Sequence, residues 1–387
     1  MTGEIPIGGT CDPHFAPVRE AFIGNFRERG EPGGAVALMV DGRLVADLWG
    51  GWRDAARQTP WARETLVNFF SVGKAFTSLV ALRLVERGLL DLDAPAARLW
   101  PEFAEHGKER VTLRHILSHQ AGLPAIREEL SDSAIFDAPR MAAALAAQHP
   151  WWEPGSAHGY HVNTFGYLAG ELVRRASGKT LGTILRDEVA GPLGADIHIG
   201  LPQTEHARCA EFLWPSVLPE RPPGKLPDDA LMKWNTYWNP PGISGAGWVN
   251  RPEWRMAEIP STNGHGTARG IARIYAALAN GGAIEGIEIL SESTLAAATE
   301  EHSFGPDSIL ERESRFALGF QLPQAERRLG PNDEAFGHFG AGGSLGYCDP
   351  VARVAFGYVT NDMGPRWQNP RNKALLAAVY ASLGAAA

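Results

Sequence analysis

Cysteine is scarce: Cys11, Cys209 and Cys348 are the only three in 387 residues. So few thiols, so widely scattered, exclude a disulfide framework and a cysteine-based zinc site. No basic run occurs and the net charge is −8, which excludes nucleic acid and anionic membrane as the main partner. No apolar stretch is long enough to span a bilayer, and the opening MTGEIPIGGTCDP lacks the basic-then-apolar pattern of an export signal. The expected compartment is therefore the cytoplasm. Repeats and low-complexity tracts are also missing. What remains, 44% hydrophobic and 21% charged, describes a globular chain of one large domain or two interleaved ones. Tryptophan is plentiful, with seven of the twelve between Trp151 and Trp254. Most are expected in the core, with Trp152 and Trp238 as candidates to line an apolar substrate cleft.

Lysine is rare as well, and of the six only Lys74 has a serine three residues before it. The run Ser71 to Leu82 (SVGKAFTSLVAL) is apolar or small apart from that one charge and leads to Gly88, which predicts a buried helix with a glycine stop. Residues at i and i+3 share a helix face, so Ser71 and Lys74 can touch. Ser71 could simply cap the helix. A capping box would want Glu or Gln at position 74, however, and a cation in the first turn opposes the helix dipole. A lysine buried there is badly placed for stability and well placed to lose its proton. A neutral amine beside a hydroxyl is a general base beside a nucleophile, and catalysis is the stronger reading.

Along the chain, a helix is expected over 15–29, and Gly33 to Trp49 alternates apolar and polar residues around Asp41-Gly42, a hairpin signal. Helical patterns follow at 112–118, 139–148, 163–176, 180–189 and 267–280, separated by long loops, notably 200–262. Strands are expected at Phe316–Leu322, Ser344–Asp349 and Val354–Thr360, with a closing helix over Arg371–Leu383. The fold class is α/β (α+β): one antiparallel sheet from both chain ends, flanked by helices, with a mostly helical domain inserted. Residues 1–90 and 300–387 would form the first domain and 91–299 the second, with the site in the cleft between them.

A serine–lysine pair needs a further proton shuttle and an oxyanion hole. Three more segments offer them: Ile116 to Pro124 (ILSHQAGLP), Pro154 to Tyr160 (PGSAHGY) and the glycine-rich His338 to Gly343 (HFGAGG). With Ser71-x-x-Lys74, the four in this order resemble the serine hydrolases of the class C β-lactamase fold, from about residue 30 to the C-terminus. That family includes β-lactamases, D-amino-acid-releasing peptidases, acyltransferases and the family VIII carboxylesterases. The resemblance implies Ser71 as nucleophile, Lys74 and Tyr160 as the pair that moves protons, and the backbone N–H of Ser71 and of Ala341 as oxyanion hole. It places His338, Phe339 and Gly340 at the substrate. Two departures stand out. Tyr160-His161-Val162 lacks the asparagine of Y-x-N, though Asn163 follows, and His338-Phe339-Gly340 replaces K-T-G. Histidine is at best a partial cation at neutral pH, so both changes weaken recognition of an acidic β-lactam. The expectation is a serine carboxylesterase of short-chain neutral esters, closest to family VIII. It would need no cofactor or metal and would act as a monomer or small homo-oligomer. β-Lactam hydrolysis, peptide or amide hydrolysis and acyl transfer are the rivals within the fold. A non-catalytic binding protein is the rival outside it, and the intact Ser71, Lys74 and Tyr160 speak against that.

Several motifs mislead. Gly342 to Gly346 fits G-x-S-x-G, but no histidine follows to serve Ser344. Ser131-Asp132-Ser133 mimics S-D-N and reads as a surface turn. His115 and His119 stand at i and i+4 without the glutamate of H-E-x-x-H and read as structural. His158 and His161 read as structural or substrate-shaping, and Gly178-Lys179-Thr180 as a helix end.

Overall fold

Asp41 and Gly42 both adopt left-handed backbone conformations, φ 50° and 73°, closing the expected hairpin with a two-residue turn. The computed structural model describes residues 4–215, 217–364 and 367–384. Its main sheet has six antiparallel strands: β1 Ile7–Cys11, β2 Gly33–Val40, β3 Arg43–Gly51, β4 Phe336–Phe339, β5 Leu345–Asp349 and β6 Val354–Thr360. Their spatial order is β1-β3-β2-β6-β5-β4, so the join between the two chain ends is the β2–β6 pair, with Val36 opposite Tyr358.

Strand periodicity sorts the sheet into two faces. Val36, Leu38, Val354, Phe356 and Tyr358 face helices α1 (Ala16–Glu28) and α5 (Pro370–Ser382), where they meet Phe22, Leu375 and Val379. Ala37, Met39, Ala355 and Val359 face the opposite side and join the larger core. That core contains α2 (Gly73–Glu86), α3 (Thr164–Ser177) and α4 (Ala268–Ala279). α4 lies on the sheet even though its residues belong to the middle of the chain. Paired glycines at 346 and 357 permit this approach: a Cβ at Gly357 would stand 2.1 Å from the Ala268 carbonyl oxygen and 2.9 Å from the Ala272 nitrogen. Backbone cannot yield as a flexible side chain does. Gly357→Ala is accordingly expected to cost about 1–3 kcal/mol, seen as a lower urea midpoint at unchanged slope; a midpoint like the parent's would contradict this packing.

The helices expected from periodicity are present, with 180–189 resolved as Leu181–Leu185 running into a wider turn at Arg186–Ala190. Gly178, at φ 70°, ends α3 as expected. Three assignments change. The predicted strand Phe316–Leu322 is instead Glu313–Phe316, paired with Ser303–Pro306 and followed by a turn at Gly319, φ 79°. β4 contains His338 and Phe339, which none of the expected strands covered. The stretch 200–262 holds a helix, Asp228–Trp238. No helix among the described residues is long and apolar enough to cross a membrane.

Candidate active site

Ser71 lies in a tight turn, Phe70–Val72, that leads into α2. Phe70 holds φ 51°, a conformation costing a non-glycine residue on the order of 1–3 kcal/mol, and its ring is wedged against Phe212 at 4.8 Å. Val72 occupies the N-cap of α2 and no side chain caps it, so Ser71 is not spent on capping. α2 is buried nearly all round, as its sequence predicts, and Lys74 with it.

The Lys74 amine has three partners: the Ser71 hydroxyl oxygen at 3.1 Å, the Val162 carbonyl at 2.6 Å and the Ser261 carbonyl at 3.2 Å. Carbonyl oxygens only accept, so two N–H bonds are committed to them. Burial, with no carboxylate among the described residues to offset it, pushes the amine well below its ordinary pKa. In the neutral form two hydrogens serve the carbonyls and the lone pair is left for Ser71.

Tyr160 is wholly buried, stacked on Phe316 at 5.7 Å and edge-on to Trp367 at 5.1 Å. Lys74 Nζ stands 4.8 Å above its ring centroid, and its hydroxyl lies 3.5 Å from His338 Nε2. Burial raises the phenol well above its usual pKa, outweighing the opposing effect of the nearby Ser71 hydroxyl, so it remains protonated. Its backbone is fixed by Asp307, whose carboxylate accepts from the Tyr160, Ile309 and Leu310 amides and the Ser314 hydroxyl.

His338 was expected to face the cleft as a partial cation. It is instead fully buried and neutral, with its pKa lowered to about 3, chiefly by burial. Nδ1–H donates to the Phe339 carbonyl at 2.7 Å, so Nε2 carries the lone pair, 3.5 Å from the Tyr160 hydroxyl. A Cβ at Gly340 would meet the Phe69 carbonyl at 2.2 Å; only glycine lets β4 end this close to the nucleophile's turn. Ala341 begins the turn Ala341–Gly343, which Asn369 and Asn372 at the start of α5 hold by their amides to the Gly342 and Gly343 carbonyls.

Trp152 stands edge-on to His161 and shares a small apolar cluster with Val162 and Tyr237, next to Lys74's carbonyl partner. Trp238 does not reach the site. Within helix Asp228–Trp238 it stacks on Trp234, 5.8 Å away and four residues earlier, and lines a separate cavity with Leu130 and Asn239. Its neighbour Tyr237, turned by one helical step, lines the cavity that abuts Tyr160. That cavity, of about 580 Å³, also takes in Phe316, Phe339, Trp367 and Arg312, of which only Phe339 was singled out from sequence.

The remaining candidates are structural. Asn163 is buried, donating to Thr236 O and Ser244 Oγ and accepting from Thr262 Oγ1, and so does not restore Y-x-N. His161 and His119 serve backbone amides: Leu123 N–H donates to His161 and His161 N–H to His119. His115 closes a capping box at Thr112, and His158 hydrogen-bonds Ser314. Asp132 ties Gly242 N–H and Trp248 Nε1–H. Ser344 is fully buried, with no partner for its hydroxyl among the described residues.

The β-lactamase family pattern matches residues 19–381. The esterase/β-lactamase LipL of Mycobacterium tuberculosis is 35% identical over 367 residues, covering 91% of this chain and 82% of its own. A family VIII carboxylesterase crystal structure superposes with a TM-score of 0.90 at 41% identity, covering 97% of this chain and all of the other. A penicillin-binding protein homologue from Caulobacter crescentus gives 0.89, also at 41% identity and with the same coverage. Together with the Ser71–Lys74–Tyr160 geometry, these likenesses establish that the chain belongs to the β-lactamase family and is an esterase/β-lactamase-fold serine hydrolase.

Proposed function

We propose that the protein is a carboxylesterase that cleaves esters with short, neutral acyl groups through an acyl-enzyme on Ser71. The observation that carries this is the 3.1 Å contact between Ser71 Oγ and the amine of a fully buried lysine, whose pKa burial pushes well below the ordinary value. Lys74 takes the Ser71 proton as Oγ attacks the ester carbonyl. The tetrahedral oxyanion is held by the Ser71 and Ala341 backbone N–H groups. The Tyr160 phenol hands its proton to the leaving alkoxide, and the Lys74 ammonium, which lies against the Tyr160 ring, returns a proton to the phenolate, so that both groups end neutral. Water then attacks the acyl carbonyl, losing its proton to the same Lys74–Tyr160 pair, which passes it to Ser71 Oγ as the acyl–Oγ bond breaks and the free acid leaves. Because the groups are this closely coupled, the pair titrates as a unit. His338 Nε2 accepts from the Tyr160 hydroxyl and keeps it aimed.

The ester reading is favoured over β-lactam hydrolysis by two features. Neutral, buried His338 supplies no cation where K-T-G would have one, and Asn163 spends its amide on Thr236 and Ser244. A charge-assisted contact of the missing kind is worth roughly 1.5–3 kcal/mol, or about one to two powers of ten in efficiency. The test sets chromogenic short-chain 4-nitrophenyl esters beside a chromogenic cephalosporin. It also looks for the acyl mass on the Ser71 peptide after a rapid acid quench. Ester kcat/KM should exceed the cephalosporin value by at least about tenfold. Equal efficiencies, or an acyl group on another residue, would overturn the proposal.

A further inference from the structure

The cavity beside Tyr160 is cationic in a chain whose net charge is −8. Arg312, Arg315, Arg327 and Lys373 line it, against a single carboxylate, Glu326. Two of the cations are already engaged: Arg315 pairs with Glu301 at 2.6 Å, and Arg327 donates to the Gln324 side chain and the Glu313 carbonyl. Arg312 is different. It is half-buried with its guanidinium 5.4 Å over the Trp367 ring, and among the described residues it makes neither an ion pair nor a hydrogen bond through that group. Asp307, a carboxylate that acts electrostatically on it, has its oxygens occupied by the amides and hydroxyl that position Tyr160. A partly desolvated guanidinium with an aromatic face beside it but no anion is costly to keep, and its planar fork matches a carboxylate.

We infer that Arg312 binds a carboxylate on the alcohol half of the substrate ester. Which half is decided by Tyr160. In the proposed reaction this phenol gives its proton to the leaving oxygen, and Arg312 shares a cavity with Tyr160's ring neighbours Phe316 and Trp367 and acts electrostatically on Tyr160 itself. The departing alcohol, passing the phenol, therefore enters the space that Arg312 guards. The acyl half is left to the side of the Val162–Trp152 cluster, none of whose members is charged. This inference rests on the ester reading and adds an acid to the leaving group.

The test compares 4-nitrophenyl acetate with 3-carboxy-4-nitrophenyl acetate, which share an acyl group and differ by one carboxylate on the leaving phenol. The parent protein is expected to favour the acid by about tenfold or more in kcat/KM. In Arg312→Ala that ratio should fall to near one, with Arg312→Lys in between, since an ammonium keeps the charge but not the fork. Because the readout is a ratio within one protein, a general loss of activity does not imitate it. A second pair, mono-4-nitrophenyl adipate and 4-nitrophenyl hexanoate, puts the carboxylate on the acyl half, and its ratio should not depend on Arg312. A ratio near one in the parent, a ratio that survives Arg312→Ala, or an Arg312-dependent preference for the adipate would each overturn the inference. Hydrolysis of both acetates by Ser71→Ala at the parent rate would instead overturn the ester mechanism beneath it.

Discussion

Ser71→Ala is expected to remove ester hydrolysis, with a fall in kcat on the order of 10⁶, the size seen when a nucleophile that works as a unit with its base is deleted. The fold should survive, because the change takes one hydroxyl from a turn held by other means. Phe70 is wedged against Phe212, and the Phe69 carbonyl sits against Gly340. Lys74 keeps its carbonyl partners at Val162 and Ser261. Ser344→Ala is the paired control. Ser344 occupies the middle of G-x-S-x-G, yet it is fully buried, and its hydroxyl has no partner among the described residues to act as base. Deleting an unpartnered buried hydroxyl relieves a desolvation cost and leaves no orphan, so that variant should retain most of its activity and its stability. Stopped assays with 4-nitrophenyl acetate on both variants decide the matter. If Ser344→Ala is the dead protein, or Ser71→Ala turns over at a tenth of the parent rate or more, the assignment of the nucleophile fails.

The parts of this site legible in the sequence are those whose chemistry is local. Ser71 and Lys74 sit three residues apart on one helix, and an apolar run containing a single charge announces burial without any knowledge of the fold. The hairpin at Asp41-Gly42 was equally legible, because the backbone of two residues determines it. His338 was harder. Its place in the motif was visible, but its neutrality comes from strand β4 being sandwiched in the core, and that depends on β5, α2 and the β2–β6 join, all remote in sequence. Helix Asp228–Trp238 was hidden among prolines and tryptophans. Its signal was present in Asp228 and Asp229 at a helix start and in Leu231, Trp234 and Trp238 at helical spacing. Missing it put Trp238 in the site where Tyr237 belongs, a difference of one residue and about a hundred degrees around the helix. Arg312 and Asp307 had no motif at all. Their roles come from a two-stranded ribbon that turns back beneath Tyr160, and only the folded chain brings them there.

Lys74→Arg should be nearly inactive although it keeps the positive charge, with kcat/KM lower by about 10³-fold or more. The amine's value lies in the proton it does not carry. Its two carbonyl partners consume the N–H bonds of the neutral form, and the lone pair faces Ser71 Oγ at 3.1 Å. A guanidinium stays protonated, offers only donors, and cannot take the serine proton. The same argument fixes a pH dependence. Burial lowers the Lys74 pKa in the folded protein, so activity should fall as pH drops through that lowered value, on the acid side of an ordinary lysine. Stability must follow the same proton. Between the lowered folded pKa and about 10.4 the unfolded chain binds a proton that the folded chain refuses, so folding becomes more favourable as pH rises across that window and levels off above it. Lys74→Met lacks this proton. The difference in urea midpoint between the parent and Lys74→Met should therefore shift in the parent's favour from pH 6 to pH 10, other groups cancelling in the comparison. A difference that stays flat, or a Lys74→Arg protein that hydrolyses 4-nitrophenyl acetate like the parent, would show that Lys74 is charged in the folded protein and serves only as a cation.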